Sequence, residues 1–204
     1  TAEQLPTTSQ PSVGDFTSTF EPLLRDGGEV VSVHISGGLS GTPEAPRANY
    51  PRGVQRLIRA LWDCEVPMVA AVNGHAIGLG LDLACICDVR LAADTAKFAS
   101  SFIKVGIVPG DGGAWILARA IGLARASEMI LTGDTIDART AESFGLVSRV
   151  VPADQLLNEA HAVARRIVTN PAKALRLAKR LLREGQQQRL SDVLELSAAF
   201  QALA

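Results

Sequence analysis

The apolar positions of this chain follow a helical period from Val54 onward: Val54, Leu57, Ile58 and Leu61 recur at spacings of three and four. Pro51 suits the first turn of that helix, and Val66-Pro67 ends it. "MVAAV" is then a short apolar run bounded by turn signals, the pattern of a buried strand, closed by the Asn73-Gly74 turn. "GLGLDLACIC" predicts a helix running back over the sheet, while "DVRLAA" and "KFAS" predict two further strands. "VGIVPGDGGAWILARAIG" reads as a glycine-rich turn feeding a helix, and "RASEMILTG" as a helix ending at Gly133. "DARTAESFG" has a polar start and a stop at Gly145, and "LVSRVV" is a short strand. Two C-terminal helices are expected over 154–169 and 171–184, with a third segment over 190–203. Short strands alternating with helices predict an α/β layer architecture.

The first 41 residues differ in character. "TSQPSVGDF" is turn-rich and leads to a short helical pattern over 19–25; "GEVVSVHI" is a β-branched run that ends in the loop "SGGLSGTPEAP". One helix, one strand and one loop are too little for an independent core.

Composition narrows the function. With 204 residues, 47% of them hydrophobic, the chain can bury a sizeable core. A net charge of -1 gives no electrostatic footprint for nucleic acid. Cys64, Cys85 and Cys87 are odd in number and lie in apolar surroundings, without metal-ligand spacing, so they read as buried thiols in a reducing compartment. No stretch has the layout of a signal peptide and no apolar run is long enough to span a bilayer, so the expected location is cytoplasmic, without membrane association. His34, His75 and His161 are scattered without metal spacing, and Ser100 and Ser101 lack a nucleophile-elbow setting. The G-x-G of Gly78 and Gly80 is not a dinucleotide fingerprint, because Leu83 stands where its third glycine belongs.

Several long motifs carry a resemblance. "VPMVAAVNGHAIGLGLDLACICDVRLAADTAKFA", "GIVPGDGGAWILARAIG" and "ILTGDTIDARTAESFGLVSRVVP" follow in the order and at the spacing of the crotonase superfamily, the enoyl-CoA hydratase/isomerase family, so residues 42–204 resemble that family. The resemblance implies the ββα superhelix of the ClpP/crotonase fold with C-terminal helices, its N-terminal half shortened or replaced. It also implies an acyl-CoA substrate, no cofactor (coenzyme A being part of the substrate), and a homotrimer or hexamer.

The same resemblance assigns residues. The N–H of Leu79, at the start of a helix, would polarise the thioester carbonyl, as unpaired helix N-terminal donors do in an oxyanion hole. Gly78 and Gly80 would permit close backbone approach. Asp82 matches the first of two carboxylates that hydratases use, one methylene shorter than the usual Glu; its other reading is a negative charge favoured in a helix's first turn. The position of the second carboxylate holds Phe102, which would line the acyl pocket beside Pro109 and Gly110. Asp111 in "PGDGG" is the substitute candidate, as acid or base, or else as the cap of a helix over 112–117. One carboxylate would suit an isomerase, two a hydratase. The basic run "KRLLR" with Lys173 and Arg176 reads as a solvated helix face, which the resemblance places near the coenzyme A phosphates and the trimer contact.

The family's first oxyanion donor lies upstream, and here only about 41 residues occupy that place. "LPTTSQPSVGDF" and "FEPLLRDGGEVVSVHISGGLSGT" resemble a fragment of the DegV family, which binds fatty acids, with Thr8 and Ser36 at its carboxylate-contacting positions. The two resemblances meet near Gly41-Thr42, dividing the chain into 1–41 and 42–204. The strand "EVVSVHI" is then a candidate for the missing crotonase strand, with Gly37 or Gly38 as the second donor. The two alternatives to an enzyme are a fatty-acid or acyl-CoA binding protein without turnover, and a non-catalytic oligomerising scaffold.

Overall fold

A computed structural model describes the strand 31–35 and residues 53–204. The expected helix over 19–25, Pro51, Thr8, Ser36, Gly37 and Gly38 lie outside the described residues. The elements are β1 (Val31–Ile35), α1 (Val54–Trp62), β2 (Met68–Val72), β3 (His75–Ile77), α2 (Leu79–Ile86), β4 (Val89–Ala93) and β5 (Lys97–Ala99). A 3-10 turn (Ser101–Val105), α3 (Gly113–Ile121), α4 (Leu123–Thr132), β6 (Ile136–Asp137) and α5 (Ala138–Ser143) follow. The chain ends with β7 (Arg149–Val151), α6 (Leu156–Val168), α7 (Ala172–Glu184) and α8 (Leu190–Leu203).

Strands β1, β2, β4 and β7 form a parallel sheet in that order, and β3, β5 and β6 a second sheet in which β3 and β5 run parallel. The sequence β2-β3-α2 places one strand in each sheet before a helix returns the chain, and β4-β5 repeats the step ahead of α3. This is a ββα superhelix, and the α/β expectation holds. β3, β6 and the 3-10 turn were not legible as elements. The Asn73-Gly74 turn does not fold the chain back as a hairpin; it hands it from β2 to the other sheet, where His75 lies opposite Lys97.

β2 explains itself. All five residues are fully buried, because both faces of the sheet are covered. Their alternation sorts them between two cores: Met68, Ala70 and Val72 join Leu57, Leu81, Phe98 and Leu117, whereas Val69 and Ala71 join Leu91, Val151, Leu156 and Ala160. α2 sits inside the larger core and buries every residue from Gly80 to Ile86. It is apolar all round except for Asp82, so its helical face cannot be read from amphipathicity.

The basic face of α7 differs from expectation. Lys173 and Arg180 are exposed, but Lys179 and Arg183, one turn apart, point inward. Lys179 Nζ donates to the Val66 carbonyl at 2.6 Å and pairs with Asp88 Oδ2 at 2.8 Å; Arg183 reaches Asp88 Oδ1 at 3.5 Å and lies over the Trp62 ring. Asp88 in turn accepts the Met68 N–H at 2.7 Å. The physical reason is that α1, the start of β2 and the end of α2 leave carbonyls and a carboxylate at one seam, and two long side chains with buried stems satisfy them. These cations are committed internally. Burial pulls the Lys179 ammonium below the ordinary lysine range, and the Asp88 charge works against that pull.

Lys179→Met is expected to destabilise the protein by about 3 kcal/mol, the low end for unpairing a buried ion, since Asp88 is 28% exposed and keeps Arg183. Asp88→Asn combined with Lys179→Met should recover part of that loss. Urea unfolding of the two variants beside the parent checks both statements; an unchanged midpoint for the single variant contradicts the first.

Candidate active site

Gly78 opens the site. Its φ of 56° and ψ of -121° lie where L-residues are strained, and its N–H donates to the Ala99 carbonyl at 2.9 Å, extending the β3–β5 pairing by one residue. A Cβ there would also meet the Phe102 ring at 3.2 Å. The reversal starts α2 at Leu79, whose N–H is one of the first-turn donors without an acceptor inside the helix. No side chain caps this end. Gly78 and Gly80 are buried and Leu79 is half-buried.

One turn into α2 stands Asp82, its N–H on the Gly78 carbonyl at 3.1 Å and its side chain without any exposure. The turn 109–112 brings up a second carboxyl group, that of Asp111, which is 5% exposed. Gln55 of α1 holds this turn by donating Nε2–H to the Gly110 carbonyl at 2.7 Å. Gly112, at φ 95°, makes the left-handed step that begins α3 and is itself the N-cap, with no side-chain cap bond. The capping role considered for Asp111 is therefore not realised. Its carboxyl faces Asp82 instead of the free N–H groups of its own helix.

Asp82 Oδ1, Asp82 Oδ2 and Asp111 Oδ1 are, among the described residues, the buried side-chain oxygens and nitrogens that lack a hydrogen-bond partner. Two ionised carboxylates can only accept, so neither can satisfy the other; one proton between them supplies the missing donor. Burial pushes Asp82 well above the usual carboxylate range, and the neighbouring Asp111 carboxyl group pushes in the same direction. Burial and the neighbouring carboxyl group thus both oppose ionisation of Asp82, as in carboxyl dyads.

The site residues named from the sequence gather here. Leu79, Asp82, Gly78 and Gly80 lie at the start of α2, Phe102 packs on Gly78, and Pro109, Gly110 and Asp111 form the facing turn. Gln55 was missed: it is a polar residue on an amphipathic helix, and nothing in its spacing marks it. Among the described residues no group of three or more metal-ligating side chains occurs, and no helix is long and apolar enough to cross a membrane. Cys64, Cys85 and Cys87 are buried free thiols, and burial pushes Cys85 and Cys87 up to about 12, which leaves them unreactive.

Residues 35–202 match the family model for enoyl-CoA hydratase/isomerase, and residues 1–52 match that of the DegV family. A probable enoyl-CoA hydratase of Mycobacterium bovis is 53% identical over 128 residues, 63% of this chain and 50% of that protein. A probable mitochondrial enoyl-CoA hydratase of Dictyostelium discoideum is 41% identical over 180 residues, 83% of this chain and 65% of that protein. The chain spans about half the length of the first of these relatives. Among solved structures, an enoyl-CoA hydratase from Bacillus anthracis superposes with a TM-score of 0.85 at 28% identity, covering 93% of this chain and 78% of that one. An enoyl-CoA hydratase/isomerase from Mycobacterium abscessus gives 0.83 at 33% identity, covering 93% and 80%. The superhelix and the family match converge, and the chain belongs to the enoyl-CoA hydratase/isomerase family.

Proposed function

We propose that the chain acts on acyl-CoA thioesters by stabilising an enolate, with the Leu79 N–H on the thioester oxygen and Asp82 and Asp111 moving protons. The observation that carries this reading is the buried pair of carboxyl groups, without other hydrogen-bond partners, one helical turn from an unpaired helix N-terminal donor. For water addition, the ionised member takes a proton from water as the water oxygen bonds to C3. The C2–C3 π electrons move toward the thioester oxygen, where the N–H stabilises them, and the protonated member delivers its proton to C2. The pair holds one proton before and after, and water is the sole co-reactant, so the step needs no cofactor.

Two carboxyls in one place support hydration over a single-base isomerisation, and a relative 39% identical over 144 residues is a crotonyl-CoA hydratase of Syntrophomonas wolfei. Phe102 serves as a wall of the acyl pocket, beside Pro109 and Gly110. A second donor at Gly37 or Gly38 is supported by the register of β1. Ile35 lies opposite Val72, so the chain leaves β1 at the same strand-end edge from which β2 leads to the site, the edge where α/β sheets bind ligands. The division at Gly41-Thr42 fits the overlap of the two family matches over 35–52. Homo-oligomerisation, as trimer or hexamer, is supported by Leu190, Leu194 and Leu203, which stand exposed along α8. Buried free thiols fit the reducing cytoplasm. The DegV match favours a second reading, binding of a fatty acyl group without turnover.

Loss of the enoyl absorbance of crotonyl-CoA should report turnover, and Asp82→Ala or Asp111→Ala should each lower kcat by about 100-fold to 10,000-fold. Binding of acyl-CoA with no turnover by the parent chain selects the second reading. Turnover untouched by either variant refutes the acid–base assignment.

Stability carries its own signature. Because the folded protein holds the Asp82 proton more tightly than the unfolded chain, it binds more protons above about pH 4. Stability is thus lost as pH rises from there through the folded-state value. Asp82→Asn should be more stable than the parent at pH 7, and the difference should shrink as pH falls toward 4. A variant less stable at every pH contradicts the origin of the shift.

A further inference from the structure

We propose that Gly113 is a positioning residue for the Asp82 carboxyl group: the site works only if the first helical residue of α3 has no side chain. Unlike Gly78 and Gly112, Gly113 has no positive φ, so its backbone does not call for glycine. In a helix alanine is the better residue. The reason for glycine is steric. A Cβ at Gly113 would overlap Asp82 Oδ2 and stand 2.5 Å from Oδ1 and 2.6 Å from Cγ.

Neither partner can yield cheaply. Gly113 is buried and is followed within one turn by Ile116 and Leu117, both packed in the larger core. Asp82 is fully buried between Leu81 and Leu83, which belong to the same core. Restoring ordinary contact requires the carboxyl to move by about 1 Å, in an interior packed like a crystal. That displacement changes its position relative to Asp111. Two residues apart, one turn therefore does two things: Asp111 supplies the second carboxyl and Gly113 makes the space in which the first one meets it.

The kinetic part rests on the enolate reading above; the steric part does not. Gly113→Ala should lower kcat on crotonyl-CoA by about 100-fold with KM little changed, the scale of an ångström-sized misplacement. It should also shift the acid limb of the pH–rate profile, which a general loss of folded protein leaves in place. The second measurement is a thermal double-mutant cycle with Asp82→Ala, which removes the atoms that clash. Gly113→Ala should lower Tm in the parent and leave it unchanged or raised in the Asp82→Ala chain. Recovery of folded protein only for the double variant is the same result in extreme form. Equal Tm losses in both backgrounds overturn the proposal, as does a Gly113→Ala protein with parental kcat and pH profile. If the parent turns over no enoyl-CoA, the failure belongs to the functional reading, and the cycle still decides the steric claim.

Discussion

The carboxyl group of Asp82 has to be accommodated inside a helix that is otherwise apolar on every side. An isolated ionised carboxylate in such a place is costly, so it must hold its proton or share one. The surroundings follow from that requirement. Gln55 fixes the turn that brings Asp111 up, Gly112 makes the left-handed step past it, and α3 begins on Gly113 with backbone alone against the carboxyl. A purely structural helix in the same core would be more stable with an apolar residue at position 82. The retained cost sets this carboxyl group apart from the apolar residues around it.

The framework that supports this pair is rigid for simple reasons. The parallel strands carry small residues, Ala70 and Ala71 in β2 and Ala92 and Ala93 in β4, all fully buried, which lets helices seat closely on both faces. At the far end of α2, the Arg90 guanidinium donates to the carbonyls of Cys85 and Leu146, and Lys179 and Arg183 clamp Asp88. α2 is thereby fixed at its C-terminal end by charged side chains and left open at its N-terminal end, where its free N–H groups are available to a ligand. A helix with one end tied and the other unsatisfied is suited to presenting a donor without moving it.

The larger elements were legible because their signals are local. The helical period of Val54 to Leu61, the run Met68–Val72 and the C-terminal amphipathic segments give element type directly, and boundaries agree within a few residues. β3 and β6 were not legible: three and two residues show no period, and they become strands only by pairing with β5. The inward turn of Lys179 was hidden for a related reason, since its partners are 113 residues away at Val66 and similarly remote in sequence at Asp88. At the site, the sequence marked Leu79, Asp82 and Asp111 through family motifs, but left Asp111 open between cap and acid. That choice depends on where a side chain points after Gly112 turns the backbone, which no pattern of residue types encodes.

The departures from the family motif belong together in physical terms. Position 82 carries a carboxyl one methylene short, position 102 carries a ring in place of an acid, and position 111 adds a carboxyl to the glycine turn. Taken singly, the first two shorten or remove a carboxyl group and the third supplies one. In the folded chain the ring fills space against Gly78, and Asp111 stands on the turn that faces Asp82. The Asp82 carboxyl group in turn has the bare backbone of Gly113 against it, with no room there for a Cβ. Phe102 against Gly78, Asp111 on the facing turn and the bare backbone of Gly113 against Asp82 thus form one steric arrangement.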